Sequence, residues 1–213
     1  MKTIKYIIGY SFLLALASCS GEQEKEKPII KDTLVETKPE SVKVDSIQEV
    51  QEIPPFPHYD SVMEMMNAED GYAETDSTLE LLSSVGNKVH IRISEKSGDG
   101  EPEKRTKWLV RRSIILTTFN VFAKTDADII TITSFPILVN EEISFVRFMR
   151  EYTMTIEVTR DEAMDVIKQF LPIPKSDFKE LYFLADNKWY ESTDLIHLTQ
   201  SEIDNVIKEF KKN

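Results

Sequence analysis

YTMTIEVTRDEAMDVIKQFLP, from Tyr152 to Pro172, carries a strand and a helix in immediate succession. Tyr152, Met154, Ile156 and Val158 alternate with Thr153, Thr155 and Glu157, which is the two-residue period of a half-buried strand. Thr159-Arg160-Asp161-Glu162 follows. A threonine with glutamate three residues later forms a capping box, in which each side chain satisfies a free N–H of the first helical turn. Ala163, Val166, Ile167 and Phe170 then recur at helical spacing, and Pro172 ends the helix. A strand with one polar face leading directly into an amphipathic helix predicts an α+β fold. Helices cover one face of a small, mostly antiparallel sheet, and its other face meets water.

Outward from this stretch the pattern continues. Lys88–Ser94 alternates, with Val89, Ile91 and Ile93 on one face. Asp128–Phe135 is rich in isoleucine and threonine and reads as the antiparallel neighbour of the strand leading to Val158, joined to it through Asn140–Ile143. Residues 106–123 predict the longest helix, with Trp108, Ile115, Phe119 and Phe122 on one side. Ser77–Glu80 and Thr199–Glu202 match the capping-box pattern and predict two further helix starts. Tyr59–Met66 and Ser176–Leu184 read as short helices, and Gly98-Asp99-Gly100 as an exposed turn. Residues 58–213 thus form one domain, long enough for a full core.

Residues 20–57 differ in composition. They hold five of the nine prolines, at 28, 39, 54, 55 and 57, and one aromatic, Phe56. Charges of both signs alternate from Glu22 to Asp32. So little apolar surface cannot offset the entropy of ordering, which predicts a disordered tether over 19–57. As a coil it spans roughly 35 Å.

Lys2 and Lys5 precede an apolar stretch from Ile7 to Ala17, too short to cross a bilayer, that ends in small residues. Leu16-Ala17-Ser18-Cys19 resembles the lipobox of bacterial lipoproteins. That resemblance implies a signal peptide over 1–18 and a diacylglyceryl group on Cys19, which becomes the mature N-terminus. Cys19 is the only cysteine, so no disulfide can form within the chain. Ser20 follows it; enterobacterial lipoproteins kept in the inner membrane carry Asp at that place, so the resemblance favours the outer membrane. Ser20-Gly21-Glu22-Gln23-Glu24 also resembles the acidic surface-export signal of Bacteroidota lipoproteins.

The formal net charge of the chain is −11, and loss of Lys2 and Lys5 with the signal leaves −13. An acidic surface excludes nucleic acid as the expected partner and is repelled by anionic headgroups, so lipid on Cys19 must provide the attachment to the membrane. Most catalytic signatures are missing: no nucleophile elbow, no phosphate-binding loop and no dinucleotide fingerprint. His58, His90 and His197 lie too far apart in sequence for a metal motif, and no cofactor is indicated. Asp70–Asp76 and Ser97–Glu101 are acidic but lack the spacing of a calcium loop. The aromatic set Tyr182, Phe183, Trp189 and Tyr190 resembles a carbohydrate-binding surface only in composition. The spacing of Phe178, Leu181 and Tyr182 indicates core packing, and Trp189-Tyr190 follows an Asp186-Asn187 turn.

The feature that stands out is basic: Lys104, Arg105, Lys107, Arg111 and Arg112. On a helical wheel Arg112 falls between Phe119 and Leu116, inside the apolar arc, and Arg111 at its edge. A charge there is expensive unless paired. Either Arg112 is buried and bonds a carboxylate or backbone carbonyls, or Arg111 and Arg112 form an anion-binding site for a carboxylate or phosphate. Together these readings describe a lipid-anchored envelope binding domain with a protein or envelope-component partner, in one version an inhibitor or immunity lipoprotein. The competing reading is an envelope hydrolase.

The lipobox generates a direct expectation. Cys19→Ala releases the protein from the membrane fraction or leaves it unprocessed, and radiolabelled palmitate is lost from it. Equal labelling of the variant would remove the basis for lipid anchoring.

Overall fold

The computed structural model describes residues 53–69, 71–140 and 145–212. The signal over 1–18, Cys19 and residues 20–52 of the tether lie outside them. In chain order the elements are α1 (Val62–Glu69), β1 (Leu79–Val85), β2 (Lys88–Ile93), β3 (Lys96–Ser97), α2 (Glu103–Lys124), β4 (Ile129–Ser134) and β5 (Ile137–Asn140). Then come β6 (Phe145–Phe148), β7 (Met154–Thr159), α3 (Arg160–Phe170), β8 (Tyr182–Ala185), β9 (Lys188–Glu191), α4 (Thr193–Gln200) and α5 (Ile203–Phe210). The fold is α+β. None of the described helices is long and apolar enough to cross a membrane.

The main sheet has the order β1-β2-β4-β7. The β1–β2 and β4–β7 pairs are antiparallel, and β2–β4 is parallel. A parallel pair needs a long crossover, which α2 supplies between β2 and β4. The expected antiparallel pair is β4 with β7, where Ile132 lies opposite Ile156. Its connection is more elaborate than a single loop. β5 and β6 join β3 in a second sheet, and a 3₁₀ turn at Arg150–Tyr152 separates β6 from β7.

The inner face of the main sheet is apolar, with Val89, Ile91, Ile93, Ile130, Ile132, Ile156 and Val158 buried. The outer face is polar. His90 Nε2 lies 3.0 Å from Thr133 Oγ1, which lies 3.0 Å from Thr155 Oγ1. Lys88 pairs with Glu157 at 2.8 Å, and Thr131 donates to the same carboxylate at 2.9 Å. Those two hydrogen bonds, Lys88's first, hold the Glu157 carboxyl below its ordinary value. A lowered carboxyl stabilises the fold above its unfolded pKa, and that contribution is lost as pH falls through the lowered one.

Helix α2 is central. Ile114, Ile115, Phe119, Val121 and Phe122 are all buried, so its second half is covered on every side and not along one stripe. One side meets the sheet, where Ser113 Oγ lies 2.9 Å from Ser134 Oγ. The others meet α3, α4, α5 and the turn ahead of β8.

The Thr159–Glu162 capping box forms as expected. The other two do not. Ser77 adopts a left-handed conformation (φ 62°), and Thr78 bonds the Asp76 carboxylate through both its N–H and its hydroxyl. The chain then enters strand β1, since a short apolar run such as Leu79–Val85 fits strand or helix until a neighbour decides. Thr199 lies inside α4, with its hydroxyl donating to the Leu195 carbonyl at 2.9 Å; the cap of α4 is Ser192. His197 therefore sits on a helix and not in a loop. Ser176–Leu184 holds only a 3₁₀ turn at Phe178–Leu181 before β8. Asp186 and Asn187, both at positive φ, close the β8–β9 hairpin with the mirror-image turn that matches strand twist.

The packed body begins ahead of His58. Phe56 meets Trp189 and Tyr182 edge-on, with centroids 5.0 and 5.4 Å apart, and Trp189 Nε1 donates to the Pro55 carbonyl at 3.2 Å. The last residues assigned to the tether are thus part of the domain surface.

The buried end of α2 is closed by a residue from another element. Arg160 donates through Nη1 to the Phe122 carbonyl at 2.6 Å, through Nη2 to those of Thr125 and Ala127, and through Nε to Ala127 again. Its guanidinium lies over the rings of Phe122 and Phe178 at 5.0 and 5.6 Å. Arg160→Ala lowers unfolding free energy by about 2–3 kcal/mol in urea denaturation, because charge-assisted bonds to partly buried carbonyls are lost. Arg160→Lys recovers less than half of that, since an ammonium cannot span three carbonyls as a planar fork does.

Candidate functional site

The basic cluster separates into three environments. Lys104, Arg105 and Lys107 are exposed at the start of α2. Lys107 pairs with Glu103, and the Arg105 guanidinium stacks 4.1 Å from the Trp108 ring centroid. Arg111 turns toward α5 and pairs with Asp204 at 2.5 Å. It is therefore taken up by a structural contact between helices and does not join Arg112 in one site. This corrects the expectation that the two act together.

Arg112 also departs from expectation. It is half-buried and makes no ion pair or hydrogen bond to a carboxylate or carbonyl among the described residues. Its one aromatic contact is with Trp108, at 5.8 Å. The arginine bonded to several carbonyls is Arg160.

Arg112 lines a concave site of about 290 Å³ between α2 and the loops flanking β1 and β3. Leu116 and Thr117 extend the α2 wall. Ser94, Glu95 and Lys96, on the path from β2 into β3, form the opposite wall, and Gly71-Tyr72 the rim. Ser94 decides what this site can do. It is 1% exposed, and its hydroxyl is buried without a hydrogen-bond partner. Its backbone N–H is used, donating to the Thr78 carbonyl at 2.8 Å. A buried unpaired hydroxyl costs about 1–3 kcal/mol, and this one belongs to a residue of the pocket wall.

Charges of both signs line the site: Arg112 and Lys96 against Glu95. Lys96 lies 3.6 Å from Asp76, whose carboxyl is held below its ordinary value, first by the hydroxyl of Thr78 and further by the Thr78 N–H and the charge of Lys96. The Tyr72 hydroxyl donates to the Glu95 carboxylate, which ties the rim to the wall. The site is lined by a guanidinium and an ammonium, groups suited to carboxylate or phosphate oxygens.

A serine nucleophile needs a hydrogen-bonded base, and among the described residues the Ser94 hydroxyl bonds none. The histidines are scattered. His58 lies 3.6 Å from Asp126, His90 bonds Thr133 on the outer sheet face, and His197 lies 3.8 Å from Glu202. Among the described residues no group of three His, Cys, Asp or Glu side chains could hold a metal ion.

A second polar cluster was not visible in the sequence. Lys124, at the end of α2, pairs with Glu69 of α1, which also accepts from the Tyr59 hydroxyl at 2.6 Å. Beside them the Tyr182 hydroxyl donates to Asn120. The local clue was Lys124 in the last helical turn, where a cation is favoured; Glu69, the partner that permits its burial, is 55 residues away. Comparisons of the chain with models of protein families, with curated proteins and with solved structures found no match.

Because Arg112 has no buried partner to abandon, Arg112→Met changes unfolding free energy by less than about 1 kcal/mol, the range of a single cation–π contact. Thermal denaturation checks this. A loss of about 3–5 kcal/mol would instead reveal a buried ion pair.

Proposed function

We propose that this chain is a lipid-anchored binding domain of the bacterial cell envelope, held through Cys19 in the outer membrane, that grips an anionic group of a protein or envelope-component partner at the Arg112 pocket. The observation that carries the binding half is the Arg112 guanidinium, which pairs with no carboxylate or carbonyl among the described residues, in a pocket also lined by Lys96 and Ser94. The anchoring half rests on the lipobox resemblance and the single cysteine. An inhibitor or immunity lipoprotein is one form of this reading. The net charge of −13 after loss of the signal suits a basic target, because complementary charge speeds association and rejects like-charged partners. Binding is preferred to hydrolysis in this reading because the Ser94 hydroxyl hydrogen-bonds no base among the described residues.

Trp108, next to Arg112, reports on this pocket. In a Trp189→Phe background, titration with inorganic phosphate and separately with acetate gives a saturable change in Trp108 emission for at least one anion. Arg112→Met weakens that response at least about tenfold, the loss of roughly 1.4 kcal/mol expected for one charge-assisted contact. An equal response in the variant, or none in the parent with either anion at about 10 mM, would sink the pocket assignment.

A further inference from the structure

The Lys124 cluster opens onto a concave site of about 490 Å³, separate from the Arg112 pocket and walled by α2 and the β8–β9 hairpin. Its floor is polar: Lys124, Glu69 and Asn120. Tyr182, Trp189 and Glu191 line it from one face of the hairpin, and Phe183 and Tyr190, paired with each other on the other face, stand at its edge. Lys124 is only 8% exposed through its side chain and Glu69 22%, so the pair is held largely out of water. A buried pair is destabilising unless its remaining hydrogen-bonding capacity is used. Glu69 uses its own on Tyr59 and Lys124. Lys124 has three N–H donors; one meets Glu69, and the face of Tyr182 lies 4.9 Å away. That leaves donor capacity for a ligand.

Acceptor capacity stands on the opposite wall. Glu191 is half-buried and makes no ion pair or side-chain hydrogen bond among the described residues. The aromatic walls are fixed in place. Trp189 is held by Pro55 and Phe56, and Tyr190 packs on Phe183 with centroids 5.8 Å apart. Tyr190 and Phe183 still leave 42% and 49% of their surface to solvent.

We propose that this pocket binds the ring of a neutral saccharide. A hydroxyl both donates and accepts, so vicinal hydroxyls match a lysine donor set against a carboxylate acceptor. The C–H faces of a sugar ring are apolar and pack on aromatic side chains, as in other concave sites that combine aromatic walls with a few placed polar groups. Charge disfavours the other small ligands. The floor pair is self-neutralising, and the unpaired Glu191 repels anions, so this site and the Arg112 pocket select different chemistry.

The two tryptophans separate the sites in one experiment. In the full chain carrying Trp108→Phe, Trp189 emission is followed during titration with the N-acetylglucosamine trisaccharide, with maltotriose, and with tetramethylammonium as a cation control. At least one saccharide produces a saturable shift with a Kd of about 10 mM or tighter. Glu191→Gln and Tyr190→Ala, both at partly exposed positions, each weaken it at least about fivefold while circular dichroism and melting temperature stay unchanged. Arg112→Met leaves it unaltered. No saturable response to either saccharide, a response to tetramethylammonium alone, or equal binding by both pocket variants would overturn the proposal.

Discussion

The guanidinium of Arg160 closes the end of a helix that has almost no access to water there. An α-helix leaves its last carbonyls without partners inside the helix, and its C-terminal end carries partial negative charge. A surface helix delegates both problems to solvent. The second half of α2 is buried between the sheet and three helices, so its end needs a cation that brings several donors at once. Arg160 is the first residue of α3, directly after β7, and its own N–H donates to the Asp128 carbonyl at 2.8 Å. One side chain and its backbone thereby join the end of α2, the start of β4 and the β7–α3 corner. The crossover that makes β2 and β4 parallel depends on α2 ending there and the chain turning back immediately.

With α2 fixed, its cations sort by what each one touches. Arg111 is paired with α5, and Lys124 with α1. These contacts tie peripheral elements to the central helix, and a buried partner left alone would carry a heavy desolvation cost. Arg112 is different because none of the described residues pairs with its charge, and its cation–π partner, Trp108, is itself on α2. Along a single helix, then, two cations join elements of the fold and a third, Arg112, faces a pocket.

The sequence was legible where the physics is local. The Thr159–Glu162 box and the alternation through Val158 depend on residues within four positions of one another, and both formed. Arg160 stands in the middle of that same box, yet its role was invisible because its acceptors are backbone oxygens 33 to 38 residues away. Backbone carbonyls have no signature in a sequence. The helical wheel failed at Arg112 for a related reason. A wheel assumes one buried side, and a helix covered all round offers several, so a residue inside the apolar arc can still line a cleft. Ser77–Glu80 and Thr199–Glu202 carried the right letters for capping boxes. The first lost to pairing of β1 with β2. The second lost because α4 had already begun at Ser192.

Neither pocket could have been read from spacing, since Ser94, Glu69 and Glu191 are ordinary residues until their neighbours are known. Among the described residues Ser94 and Ser97 carry buried hydroxyls without a partner, while other buried hydroxyls are bonded. Ser113 finds Ser134, Thr118 finds the Ile114 carbonyl, and Thr199 finds that of Leu195. Against that background an unpaired Ser94 hydroxyl is a free-energy cost of the folded protein, one that a partner atom reaching it would remove. A ligand that supplies the missing partner is bound more tightly by that difference, and it stabilises the folded state in proportion to the logarithm of its concentration over its Kd.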